Sequence, residues 1–140
     1  MDHQNEKCVM IIDGALPPGV AANTAAILGI TLGKQAPQAV GEDVLDSAGR
    51  RHPGIIAFPV PILRGDGESI RALREKLYEP QYAALTVADF SDFAQGCRTY
   101  AEYMDGLRAV PEEGLRYLGI AICGEKRLVS KLTGSLPLLR

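Results

Sequence analysis

Cys8-Val9-Met10-Ile11-Ile12 is a continuous apolar run bounded by polar residues, and it predicts a buried strand with Asp13 at its carboxyl end. Gly14-Ala15-Leu16-Pro17-Pro18-Gly19 then carries the breakers that stop a strand and prepare a helix. From Val20 to about Lys34 the larger residues Val20, Thr24, Ile27, Leu28 and Thr31 recur among alanines, which predicts a helix packed on two sides. Beyond it Gly and Pro recur and no period persists. Short strands are expected near 42–45 and 55–58 with a turn at 47–49, and Pro59 and Pro61 demote the second strand to a sheet edge.

Periodicity returns at Asp66 to Tyr78, where Ile70, Leu73 and Leu77 face one way and Arg and Glu the other, an amphipathic surface helix ending before Pro80. Residues 85–88 read as a strand, and Ser91 as the N-cap of a helix. Phe90, Phe93, Ala94, Cys97, Ala101, Met104 and Leu107 keep helical spacing for nearly five turns, which predicts one long helix. Residues 111–114 form a loop. Tyr117 to Cys123 is apolar or small on both faces, so it reads as a central strand, ended by Gly124 and followed by a short helix over 125–132. Strands alternating with helices, without repeats, argue for one α/β domain over 1–140 behind a polar leader at 1–6. Its expected form is a three-layer sandwich, with a mixed sheet of four or five strands and helices on both faces.

Composition adds exclusions. Of 140 residues, 46% are apolar and 23% charged, which rules out disorder and fibrous architectures. A net charge of -2 argues against nucleic acid as the main partner. The balance is uneven: the first 70 residues carry five Lys/Arg against eight Asp/Glu, and the last 70 carry ten against nine. Lys126, Arg127, Lys131 and Arg140 face only Glu125 near the end, so a local basic edge is compatible with the acid total. Polar residues at the start and the absence of a long apolar run place the chain in the cytoplasm, off the membrane. Cys8, Cys97 and Cys123 form neither a CxxC pair nor a Cys/His cluster. They are therefore expected as free buried thiols, with no disulfide and no metal site.

Candidate chemistry concentrates at the first turn. A strand ending at Asp13 and a turn ending at Gly19 deliver the chain to a helix N-terminus, whose free amides and dipole favour an anion. Asn23 and Thr24 lie one turn further on, where an amide and a hydroxyl can line the same cleft. His52, in Arg50-Arg51-His52-Pro53, reads as a solvated loop histidine. No cofactor motif is present, and no carboxylate pair is spaced for acid/base work.

The segment Leu16-Pro17-Pro18-Gly19-Val20-Ala21-Ala22-Asn23-Thr24-Ala25-Ala26 with Leu32-Gly33-Lys34 resembles the bacterial family known as domain of unknown function two thousand. So does the finish, Gly119-Ile120-Ala121 through Lys131-Leu132-Thr133-Gly134-Ser135-Leu136-Pro137-Leu138, with His52-Pro53-Gly54 and Pro59-Val60-Pro61-Ile62-Leu63 between. The resemblance implies a fold like that of type II peptidyl-tRNA hydrolases. Ala21-Ala22-Asn23 is similar to the Ala-Ala-Gln that follows the hydrolases' Gly-Lys-Gly-Lys turn, but Pro17-Pro18-Gly19-Val20 carries no lysine. Their closing Thr-Gly-His-Leu-Lys-Leu is similar to residues 133–138, with Ser135 and Pro137 in place of His and Lys. Their Asp-Ala-Gly-Arg-Thr segment is matched by Asp105-Gly106-Leu107-Arg108-Ala109.

These observations yield an expected small-anion site made of Asp13, Gly19, Asn23 and Thr24, with Lys131 and Thr133 as an opposite wall. The alternatives are a hydrolase of an ester or amide such as peptidyl-tRNA, and a non-enzymatic homodimer paired through the apolar edge at 59–63.

Overall fold

The computed structural model describes residues 4–140; Met1 to His3, in the expected leader, lie outside the described residues. Eight-residue β1 (Glu6–Asp13) begins inside that leader and feeds α1 (Pro18–Gln35). The small hairpin of β2 (Val44–Leu45) and β3 (Arg51–His52) follows, then β4 (Ile62–Gly65) and α2 (Gly67–Lys76). The second half holds β5 (Thr86–Ser91), α3 (Asp92–Gly96), α4 (Tyr100–Leu107), β6 (Tyr117–Glu125) and α5 (Lys126–Thr133).

The main sheet is mixed and four-stranded, in the order β4-β1-β6-β5. Strand β1 runs parallel to β4 and antiparallel to β6, which is antiparallel to β5. Alternation along β1 explains the layers. Cys8, Met10 and Ile12 turn toward α1, which lays Leu28 and Leu32 against them. Val9 and Ile11 turn the other way, against Ile70 and Leu77 of the α2 region and Val129 of α5. Helices therefore cover both faces of one mixed sheet, as expected for an α/β chain. Gly119 of β6 lets α1 approach, because a Cβ there would lie 2.7 Å from Thr24 Cγ2 and 2.9 Å from Ile12 Cδ1.

Four expectations are corrected. Residues 55–58 form no strand beyond an isolated Val40 to Ile56 bridge; the strand is β4, just after Pro61, which lacks the N–H a ladder would need. Of the edge expected at 59–63 to pair with a second copy, the end at Ile62 and Leu63 is bonded instead to the chain's own tail. Arg64 N donates to Pro137 O at 2.8 Å and Leu139 N to Ile62 O at 2.9 Å. The long helix over 90–107 is two helices, α3 and α4. Gly96 ends the first, and Thr99 restarts the second by accepting from Glu102 N while the Glu102 carboxylate accepts from Arg98 N.

The fourth correction concerns sulfur. Cys8 and Cys123 are disulfide-bonded, facing each other in the β1/β6 register, and only Cys97 is a free thiol. A residue opposite another across strands 115 positions apart leaves no mark on local spacing. Among the described residues no helix is long and apolar enough to cross a membrane, and no group of three His, Cys, Asp or Glu could hold a metal.

Candidate functional site

Parallel neighbours β1 and β4 send their helices to opposite faces, α1 to one and α2 to the other. The two connections part beyond the carboxyl ends of the strands, and this is the kind of crevice where open α/β sheets bind ligands. Asp13 and Gly14 stand on one side of it, Arg64, Gly65 and Asp66 on the other.

Asp13 is 2% exposed and fully engaged. Its Oδ1 accepts from Ala15 N at 2.9 Å, which shapes the turn, and its Oδ2 accepts from Arg116 Nη2 at 3.0 Å. The Arg116 side chain is itself 60% exposed, so the buried carboxylate anchors a cation whose other donors remain available. Arg64 reaches the same crevice. A Cβ on Gly14 would meet Arg64 Nε and Cζ at 2.5 Å, so the guanidinium lies over that glycine. Next to Arg116, burial first and the Asp89 charge second push the Tyr117 phenol up to about 12, which keeps it neutral scaffold.

The two helix N-termini at this crevice are built differently. Helix α2 has a complete capping box: Asp66 Oδ1 accepts from Ser69 N at 2.8 Å, and Ser69 Oγ accepts from Asp66 N at 3.0 Å. Glu68 adds a carboxylate to its first turn. Helix α1 begins at Pro17-Pro18, where proline suits the helix entry, yet among the described residues no side chain caps it and no acid sits in its first turn. Its first turn therefore keeps amide donors and the positive dipole end. Beside it opens a cleft of about 380 Å³ lined by Gly14, Leu16, Pro18, Ala21, Ala22 and Arg140 among others. On the α2 side a groove of about 420 Å³ mixes Asp66 and Glu68 with Arg71 and Arg116.

Of the expected site residues, Asp13 ends β1 with its carboxylate turned to Arg116 on the α2 side, whereas Gly19 lies in the first turn of α1 on the other face. Gly19 is exposed, and a Cβ there would meet nothing within 4 Å. Thr24 is buried and satisfied within its helix, Oγ1 donating to Val20 O at 2.8 Å. Asn23 is exposed and shares a helix stripe with Ile27 and Thr31, which line a different cleft near Cys97 and Tyr103. Thr133 donates to Val129 O at 2.7 Å, and exposed Lys131 sits with it on α5, across the sheet from α1. The expected opposite wall is therefore corrected: Arg64 over Gly14 and Arg140 in the cleft are the cations beside the start of α1, while Arg116 lies in the groove on the α2 side. Asp105 lies on exposed α4, away from the crevice. His52 is exposed and bonded to Asp46 at 2.8 Å in the hairpin.

A family-wide sequence profile described as protein of unknown function (DUF2000) matches residues 6–140, nearly the whole chain. The chain belongs to the DUF2000 family. Among solved structures, this DUF2000 chain is similar to a protein of unknown function from Agrobacterium tumefaciens strain C58. That match has a TM-score of 0.84 at 19% identity and covers 96% of this chain and 97% of the other. Similarity at this identity shows a shared fold. No curated protein sequence matches the chain.

Proposed function

We propose that this DUF2000 protein binds a small anionic molecule, a carboxylate or phosphate ester with a short apolar body, in the crevice between the ends of β1 and β4. One observation carries the reading: of two helices starting there, α2 is capped and acid-bearing, whereas α1 has neither a capping side chain nor an acid in its first turn. The anion accepts hydrogen bonds from the amides opening α1, with the dipole favouring its charge. Arg64 over Gly14 supplies a planar two-donor fork suited to a carboxylate or phosphate. The apolar body lies along Leu16, Ala21 and Ala22, with Arg140 closing the cleft.

Inorganic phosphate is the probe. Calorimetric titration into the full chain should give saturable binding, and Arg64→Ala should weaken it about tenfold, roughly one charge-assisted hydrogen bond. Equal binding by the two proteins, or none by the native one, would overturn the assignment.

A further inference from the structure

The Cys8 to Cys123 bond lies at the other end of the α1 face. Both sulfurs point to the α1 side, Cys8 at 1% and Cys123 at 6% exposure, and both residues line a cavity of about 250 Å³. Two helix glycines make room for that cavity. Gly29 and Gly33 stand one turn apart on α1; a Cβ at Gly33 would meet nothing within 4 Å, and one at Gly29 only Met10 Cε at 3.7 Å. Glycine inside a helix is unfavourable relative to alanine, and here alanine would fit. The remaining wall comes from the irregular stretch after α1, through Ala36, Val40 and Ile56. Cys123 also borders a second cleft of about 240 Å³ that opens toward Gln38 and Glu125.

Strand pairing does not depend on the bond. Strands β1 and β6 share seven register pairs and a packed core on each face, so reduction leaves two thiols opposite each other, ready to rejoin. We infer that Cys8–Cys123 is a reversible redox bond, opened in the folded protein by a small thiol that enters through the cavity behind α1. Cys123, the more exposed residue of the pair and the one that lines two clefts, carries the sulfur attacked.

A thiolate of the small thiol bonds to Cys123 Sγ, and the S–S bond breaks with its electron pair leaving on Cys8 Sγ. A second thiolate attacks the external sulfur of this mixed disulfide and releases Cys123 as thiolate. The two protons shed by the small thiols end on Cys8 and Cys123. In sum, two small thiols are oxidised to one disulfide and the protein bond is reduced to two thiols. A thiol the size of free cysteine fits the cavity volume.

The test incubates the native full chain in cysteine/cystine mixtures, quenches with an alkylating reagent and reads each cysteine by mass spectrometry, with circular dichroism reporting the fold. Cys8 and Cys123 should move together from protected to alkylated as the cysteine fraction rises, with the fold retained and a transient cysteine adduct on Cys123. Gly33→Leu, which places a side chain in the open space, should slow reduction at least tenfold and leave the final ratio unchanged. Gly33→Ala serves as the fold control. A bond that opens only on unfolding, a pair of thiols that never bonds under cystine, or a Gly33→Leu protein reduced at the native rate would each overturn the inference.

Discussion

Two helices begin at one crevice, and the sequence finishes only one of them. Helix α2 closes its own N-terminus with Asp66, Ser69 and Glu68, so its first turn is explained by folding alone. Helix α1 starts with two prolines and a glycine, keeps its first-turn donors, and has Arg64 and Arg140 beside it where α2 has acids. The difference separates a terminus closed for stability from one whose donors stay open, which is the basis of the anion site we propose.

The largest expected effect lies beneath both termini. Arg116→Ala leaves the Asp13 carboxylate buried with only Ala15 N as partner, and should cost about 1–3 kcal/mol in urea unfolding. Arg64→Ala, an exposed residue, should change stability by less than about 0.5 kcal/mol while weakening phosphate binding. If Arg116→Ala unfolds like the native protein, Asp13 does not anchor that cation.

Next comes Asp66→Ala. It removes the α2 cap and should lower the melting temperature by roughly 2–6 °C, with phosphate affinity unchanged. A loss of affinity would place the anion at α2 instead. Gly19→Glu is the reciprocal change, giving α1 the acid it lacks at a site where a Cβ meets nothing. It should stabilise by about 0.3–1 kcal/mol and abolish phosphate binding.

The smallest effect is in pH. Bonds from the Ser69 backbone first, and then from its side chain, hold the Asp66 carboxyl below the usual aspartate value. The cap's contribution is therefore complete above that usual value and is lost as pH falls through the lowered one. With the intrinsic pH dependence of exchange divided out, the Ser69 amide should lose protection across that window while protection at Gly19 stays level; parallel changes at both would erase the contrast.

Much of the fold was legible because it rests on local patterns. The apolar runs of β1 and β6, the stripe of Ile70, Leu73 and Leu77, and the Ser91 cap on Ala94 N all stand as read. The helix over 90–107 misled because hydrophobic spacing continued through a break set by Gly96 and the Thr99/Glu102 cap, while Tyr100 and Met104 stay exposed. Turn chemistry pointed to Asp13 and Gly19. Arg64 and Arg140 beside α1, and Arg116 on Asp13, were not legible, since strand order alone sets which distant residues meet at each place. Lys131 and Thr133 were misplaced for the same reason: α5 lies across the sheet from α1.

The most direct test follows backbone amide shifts by NMR as inorganic phosphate is added to the native protein. Gly19 and Val20 should shift along one saturable curve, with Gly67 and Glu68 unmoved and the Gly19 and Val20 response lost in Arg64→Ala. Saturable shifts centred on Gly67 and Glu68, or none at Gly19 and Val20, would contradict the account.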